Sequence, residues 1–240
     1  MTAMSTPIAT TAPTAPTAAI VATEGVTVRP LAGMARTAAR RMVKAWEAPV
    51  FHLAVDVDMT SALAAKGDGV TVSDLLVRCC TLALREHPAV NAHYGDESVT
   101  MFDDVNVGLA VATAAGLMVP VIQRAQNLDV AGVGAARRDL VARAHGGALK
   151  MPDMTGGTFT VSNLGMLGVD AFDAILNTPQ VAILAVGSTR PQPTLVDGNT
   201  VWRPTARFTL TCDHRALDGA TGARFLATVR SELECVTVER

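Results

Sequence analysis

Apolar residues recur at helical spacing in four segments of the chain, with charged residues between them. The segments are Gly33–Trp46, Asp74–Glu86, about Asp129–Ala144, and the stretch that follows Gly219. Apolar positions three or four residues apart indicate a helix with one buried face. Thr71 or Ser73 is suited to cap the second helix, and Gly146-Gly147 to end the third.

Other segments alternate apolar and polar positions or are short and rich in β-branched residues, as strands are. They are Phe51–Val57, Val105–Thr113, Leu117–Gln123, Thr158–Ser162, Val181–Val186 and Arg207–Thr211. The turn residues Ala-Ala-Gly116 predict that the second and third of these strands are neighbours. Because helices and strands do not follow a strict βαβ order, the sequence predicts an α+β fold: a two-layer sandwich with a mixed β-sheet.

Residues 1–25 are mostly Ala, Thr and Pro, a composition that cannot bury a core. We expect a disordered leader there, and one folded domain over residues 26–240. No internal repeat divides that domain.

Composition narrows the class of protein. The chain has 240 residues, 49% of them hydrophobic, and a formal net charge of −2, so it can bury a full core as a globular protein. It has no block of Lys and Arg, which argues against nucleic-acid and membrane partners. It also lacks a secretory signal and an apolar run of about 20 residues, so we expect a cytoplasmic location.

One histidine stands out as a candidate general base. The run Phe208-Thr-Leu-Thr-Cys-Asp-His214-Arg-Ala-Leu-Asp218-Gly219 delivers His214 from an apolar strand into a turn. An imidazole with a pKa near 6.5 exchanges protons efficiently at neutral pH. The alternative is a histidine of the core. Cys212 lies on the same strand, but the four cysteines lack metal-ligand spacing, so we expect free thiols and no metal.

A second segment sharpens the interpretation. It reads Gly156-Gly-Thr-Phe-Thr-Val-Ser162-Asn-Leu-Gly-Met-Leu-Gly168 and is followed by Asn177-Thr-Pro-Gln-Val-Ala-Ile-Leu-Ala-Val-Gly187. Together with the His214 run, it resembles the catalytic domain of dihydrolipoamide acyltransferases, the core subunits of 2-oxoacid dehydrogenase complexes. The recurring signatures of that family, within the chloramphenicol acetyltransferase-like superfamily, are DHRxxDG and FT[IV]SNLG. The resemblance covers about Val28 to Glu234.

The resemblance implies a role for each motif residue. His214 deprotonates the thiol of coenzyme A in one direction and of dihydrolipoamide in the other. Ser162 donates a hydrogen bond to the oxyanion, Asp218 counts with His214 as an active-site residue, and Asn163 and Gly187 line the coenzyme A channel. From the residues alone, Ser162, Asn163 and Gly187 are also explained by a turn, and Asp218 is better placed to hold its loop than to act as a second base.

The resemblance also implies an assembly. In a homotrimer, His214 of one subunit meets Ser162 of its neighbour. Lys44, Lys66 and Lys150 are the only lysines, and none lies in the Asp-Lys-Ala sequence that receives lipoate. The lipoyl group is therefore expected from a lipoyl-domain protein, with dehydrogenase subunits as further partners. The C-terminal sequence lacks the apolar segment that joins trimers into larger cores, so we expect the trimer to be the final assembly.

Two other functions fit the same residues. The first is a coenzyme A-dependent acyltransferase that uses a small hydroxyl or amine acceptor. The second is a non-catalytic core that organises a dehydrogenase complex. The acyl group (acetyl, succinyl or branched-chain) is left open by the sequence.

Overall fold

The computed structural model describes residues 21–23, 25–28, 30–31, 33–67 and 69–237. Within these residues lie five α-helices: α1 Gly33–Trp46, α2 Thr60–Ala65, α3 Val72–Glu86, α4 Val130–His145 and α5 Gly219–Glu234. The strands are β1 Val21–Thr23, β2 Val26–Val28, β3 Val50–Asp58, β4 Ala92–Gly95, β5 Ser98–Met101, β6 Val107–Leu109, β7 Val111–Thr113, β8 Gly116–Met118, β9 Val121–Ile122, β10 Phe159–Asn163, β11 Ala182–Val186, β12 Arg190–Val196 and β13 Asn199–Asp213.

Each of the three long helices that follow α2 begins at a side-chain cap. Thr71 caps α3, and Asp74 returns the interaction in a capping box, so α3 begins two residues before its predicted start. Asp129 caps α4 by accepting from the Gly132 amide at 2.7 Å, and the helix ends at Gly146 as predicted. Asp218 caps α5. All three caps are polar residues that interrupt an apolar pattern, so the starts of these helices can be located in the sequence.

A seven-stranded mixed sheet forms the centre of the molecule. Its order is β12-β13-β11-β10-β6-β9, and β3 pairs with β13. Strand β10 runs parallel to both β6 and β11, whereas the other pairs are antiparallel. The prediction of an α+β fold with a mixed sheet is confirmed.

The two faces of the sheet have different partners. Val161, Leu184 and Leu210 are buried in the large core with the apolar side of α3 and α5. Gly222 allows α5 to approach closely, because a Cβ there would lie 2.8 Å from Leu53 Cδ1. On the opposite face, Ile183 packs in a small cluster with Ala48, Ala174 and Leu176. Helices α3 and α5 therefore cover one face, and we call the opposite face, on which neither of these two helices lies, the helix-free face.

The two segments predicted as adjacent strands before residue 124 are each broken in two. Strands β6 and β9 pair within the main sheet, while β7 and β8 form a separate two-stranded sheet. The break falls at Ala110, whose amide donates to Val161 O, and at Pro120, which has no amide to donate. The strands are neighbours as predicted, but they are not continuous.

Residues 1–20 and 24 of the predicted leader lie outside the described residues, so its disorder stays a prediction. Val21–Thr23 pairs antiparallel with Val26–Val28. In the part of the chain that the structure describes, no helix is long and apolar enough to cross a bilayer.

Candidate active site

His214 lies in the turn that immediately follows β13. Its amide donates to the Pro49 carbonyl at 2.9 Å, and its ring packs on the ring of Phe51 with centroids 4.6 Å apart. The residue is exposed. His214 is therefore presented at the surface on an apolar support, and it is not a histidine of the core.

The turn is held by the residues on either side of His214. The buried Asp213 carboxylate accepts two bonds from the Arg215 guanidinium, at 2.9 and 2.6 Å, and one from the Arg215 amide at 3.0 Å. The guanidinium also lies over the ring of Tyr94, 4.1 Å from its centroid. Such a bidentate, stacked arginine fixes geometry as well as charge. The sequence did not reveal Tyr94, because it is brought there only by tertiary folding.

Asp218 caps α5 and lies on the surface. Its carboxylate accepts from the Thr221 amide at 2.7 Å. Hydrogen bonds from Thr221 hold the pKa of Asp218 below its ordinary value, and the charges of Arg224 and His214 lower it further. The side chain thus orders the loop between His214 and α5, as the sequence predicted.

Ser162 lies on β10, on the helix-free face of the sheet, and is partly exposed. It pairs with Ala185 of β11, which in turn pairs with Thr209 of β13. His214 is five residues beyond Thr209, which is about 17 Å along the strand. One protomer therefore does not bring Ser162 and His214 together.

Asn163 and Gly187 line a cleft of about 570 Å³ between the ends of β10 and β11 and the start of α3. The residues that line it are Met59, Lys66, Gly67, Val70, Thr71, Val72, Ser73, Leu76, Asn163, Gly165, Met166, Val186, Gly187, Thr189, Ala206 and Phe208. We call it the α3 cleft. Neither His214 nor Ser162 belongs to this lining, so the predicted residues fall into three separate places.

Two glycines are required where β10 and β11 end. A Cβ at Gly165 would lie 2.6 Å from the Gly187 carbonyl oxygen, and a Cβ at Gly187 would overlap the Asp170 carbonyl oxygen. Asn163 Oδ1 accepts from the Gly165 amide at 2.9 Å. The backbone beside the cleft is therefore closely packed, and the turn explanation accounts for part of the Ser-Asn-Leu-Gly pattern.

The structure gives little support to a cysteine nucleophile or to a metal ion beside His214. Cys212 pairs with Phe51, whose ring packs on His214, but the Cys212 side chain is buried in the core against α5. Burial raises the pKa of the Cys212 thiol to about 12, so it is not a thiolate at neutral pH. Among the described residues, no three His, Cys, Asp or Glu side chains are grouped so that they could hold a metal ion.

The fold is shared with a class of acyl-transferring enzymes. Chloramphenicol acetyltransferase superposes with a TM-score of 0.53 over 81% of this chain and 94% of its own, at 13% identity, which establishes likeness of fold alone. Residues 23–238 match the family model described as 2-oxoacid dehydrogenases acyltransferase (catalytic domain). The chain belongs to this family.

Several proteins that are named as acetyltransferases are similar to this chain in sequence or in structure. The dihydrolipoyllysine-residue acetyltransferase component of the mitochondrial pyruvate dehydrogenase complex of Schizosaccharomyces pombe is 38% identical over 219 residues, which are 85% of this chain and 45% of the relative. A probable dihydrolipoamide acetyltransferase from Listeria monocytogenes has a TM-score of 0.86 at 29% identity, covering 91% of this chain and 98% of its own. The Azotobacter vinelandii dihydrolipoamide acetyltransferase has a TM-score of 0.83 at 28% identity, covering 88% and 92%.

The chain spans less than half the length of the Schizosaccharomyces pombe relative, and also less than half that of the corresponding component from Zymomonas mobilis. The Schizosaccharomyces pombe relative is named as mitochondrial, and a similar acetyltransferase component from Arabidopsis thaliana is named as chloroplastic. The predicted cytoplasmic location stays a prediction.

Proposed function

We propose that the protein is an acyltransferase that moves an acetyl group between coenzyme A and a dihydrolipoyl group. The observation on which this rests is an exposed imidazole, His214, held at a rigid turn in a chain that belongs to the 2-oxoacid dehydrogenase acyltransferase family. The names of the relatives favour acetyl as the acyl group and a thiol as the acceptor. They give less support to a hydroxyl or amine acceptor.

The reaction needs a base and an oxyanion donor. The His214 imidazole takes the proton of the incoming thiol, and the thiolate attacks the thioester carbonyl carbon. The resulting oxyanion accepts a hydrogen bond from the Ser162 hydroxyl. When the intermediate collapses, the carbon–sulfur bond of the original thioester breaks, and His214 returns its proton to the leaving thiolate.

We infer that His214 and Ser162 of different subunits form one site in a homotrimer. The separation of the two residues along the sheet supports this arrangement, because no motion within a well-packed sheet could close it. The Azotobacter vinelandii study addresses a serine, a histidine and an asparagine in catalysis, and these are spaced 52 and 4 residues apart. Ser162, His214 and Asp218 have the same spacing, with an aspartate in place of the asparagine.

We place coenzyme A in the α3 cleft, with Asn163 and Gly187 in its lining. The cleft is mixed in character, with the apolar Leu76 and Phe208 beside the hydroxyls of Thr71 and Ser73. This suits a long substrate arm that has both methylene and amide groups. The lipoyl group would come from a lipoyl-domain protein, and the dehydrogenase subunits of a pyruvate dehydrogenase complex would be the partners.

The test is transfer from acetyl-CoA to free dihydrolipoamide by the wild type, by His214→Ala and by His145→Ala. His145 is an exposed histidine in the last turn of α4 and is the matched control. We expect kcat to fall by about 10²-fold or more in His214→Ala, the usual contribution of a general base, and to stay unchanged in His145→Ala. Equal activity of the wild type and His214→Ala would contradict the proposal. Turnover only with hydroxyl or amine acceptors would favour the alternative enzyme.

A further inference from the structure

Two consecutive arginines of α4 hold one wall of the α3 cleft from behind. Arg137 Nε donates to Asp74 Oδ1 at 2.6 Å and its Nη2 donates to Oδ2 at 3.3 Å. Arg138 Nη1 donates to the Gly69 carbonyl oxygen at 2.8 Å. Both contacts end on residues 69–74, which form this wall and of which Val70, Thr71, Val72 and Ser73 line the cleft.

Asp74 links this arginine to the cleft wall itself. Its side chain is fully buried, and Oδ2 also accepts from the Thr71 amide at 2.8 Å and the Thr71 hydroxyl at 2.7 Å. Burial raises the pKa of this carboxyl, but the hydrogen bonds from Arg137 and Thr71 outweigh burial and leave the pKa below its ordinary value. Thr71 lines the cleft, so a carboxylate charged at neutral pH joins α4 to a residue at the cleft surface.

The contact between the two helices is close. A Cβ at Gly134 would lie 3.2 Å from Arg138 Nη1 and 3.3 Å from the Asp74 carboxyl carbon, so a glycine at this point of α4 leaves room for both groups. Neither Arg137 nor Arg138 is among the described residues that line the cleft. Any effect of these two arginines on ligand binding must therefore act through the position of the cleft wall.

We propose that Arg137 and Arg138 are positioning residues that fix the cleft wall and thereby set the affinity for coenzyme A, without a part in the chemical step. This inference rests on the proposed function, since it takes the α3 cleft to be the coenzyme A site. If the wall is fixed in its binding geometry before the ligand arrives, binding does not have to order it. If the wall is mobile, ordering it costs free energy and lowers the affinity. The consequence is a change in KM for one substrate only.

Arg138→Met is the main test, because its partner is a neutral carbonyl and the change leaves no buried charge behind. In the transfer from acetyl-CoA to dihydrolipoamide, we expect KM for acetyl-CoA to rise about tenfold, the equivalent of one lost charge-assisted hydrogen bond. The value of kcat and the KM for dihydrolipoamide should stay within about twofold of the wild type. Arg143→Met is the matched control, since Arg143 lies on the same helix and binds Asp139 and Asp153, which are not part of the cleft lining.

Arg137 gives a second, independent variant. Arg137→Lys retains a positive charge beside Asp74 but loses the two parallel hydrogen bonds of the guanidinium. Its KM for acetyl-CoA should therefore lie between those of the wild type and Arg137→Met. Thermal unfolding shows whether each variant folds. If the Arg137 variants do not fold, the KM values of Arg138→Met decide whether the inference holds.

Three results have distinct meanings. A raised KM for acetyl-CoA in Arg138→Met, with a wild-type KM in Arg143→Met, supports the inference. Wild-type turnover with an unchanged KM in Arg138→Met, or with a loss confined to kcat, overturns the inference alone. A wild type without any coenzyme A-dependent transfer overturns the proposed function together with it.

Discussion

At the scale of single residues, Asp74 makes stability depend on pH. Its pKa in the folded protein is below the ordinary value, so its contribution to stability is present above the unfolded pKa of about 3.9 and is lost as the pH falls through the folded pKa. In Asp74→Asn, we expect the free energy of unfolding at pH 7 to fall by roughly 2 kcal/mol. We also expect a shallower loss of stability below about pH 4 than in the wild type.

Urea unfolding at several pH values between neutral and acid checks both parts of this prediction. Asp153→Asn is a comparison at a more exposed carboxyl, since hydrogen bonds from Arg143 and the Lys150 amide also lower the pKa of Asp153. Its effect should have the same direction and be smaller. If the pH dependence of Asp74→Asn were the same as that of the wild type, the ion pair with Arg137 would contribute nothing to stability.

Ser162 is the residue whose role is most open to a direct kinetic test. In the role of oxyanion donor that we propose, Ser162 stabilises only the transition state. Ser162→Ala should therefore lower kcat by about 10² to 10³-fold and leave the KM for both substrates nearly unchanged. Ser98→Ala, in the exposed end of a hairpin, is the control. A kcat within about twofold of the wild type would mean that Ser162 serves only the turn.

Motifs reveal some of these residues and not others. His214, Asp218 and Ser162 stand in local patterns that the sequence displays directly. Thr71 and Asp74 also form a local pattern, a cap followed three residues later by a carboxylate. Arg137 and Tyr94 leave no such mark, since their partners come from distant segments and only the folded chain brings them together.

At the scale of elements, the junction after β10 and β11 makes a prediction about packing. Because a Cβ at Gly187 would overlap a backbone carbonyl that belongs to another segment, Gly187→Ala must displace the chain near Asp170. We expect a loss of about 1–3 kcal/mol in the free energy of unfolding, typical of overpacked sites, and a weaker affinity for coenzyme A. Denaturant unfolding measures the first and KM the second.

Gly95→Ala is the control for this change, because an added Cβ there has nothing within 4 Å. It should unfold like the wild type. Wild-type stability in both variants would show that the segment around Asp170 gives way at no cost.

Hairpins show where the sequence patterns fall short. Strand β12 contains Pro191 and Pro193, which argue against a strand, although Asp197-Gly198 is a strong hairpin signal and both residues have positive φ. The β4–β5 hairpin turns at Asp96 and Glu97, which also have positive φ, and neither of these two turn residues is a glycine. Long helices with caps were predictable, whereas these strands depended on pairing partners.

At the scale of the whole molecule, the register of the sheet decides where chemistry can occur. The class of fold and its mixed sheet followed from the order of the predicted elements. The order of strands did not, because periodicity says nothing about which strand pairs with which. That order places Ser162 and His214 far apart in one protomer, which is the basis of our proposal that the active site forms between subunits.

A complementation experiment tests this central claim most directly. Ser162→Ala and His214→Ala protomers carrying different affinity tags are expressed together, and the mixed assemblies are isolated through both tags. Each mutant retains the residue that the other lacks, so a site that takes Ser162 from one subunit and His214 from the next is intact at some interfaces. In a trimer that contains both kinds of protomer, one of the three interfaces is intact, so about a third of the sites are active.

The control is His214→Ala carrying both tags, in which no interface has a histidine at this position. We predict acetyl transfer from acetyl-CoA to dihydrolipoamide at about a third of wild-type turnover in the mixed assemblies and almost none in the control. Mixed assemblies no more active than the two single mutants would place Ser162 and His214 in separate sites and contradict the account.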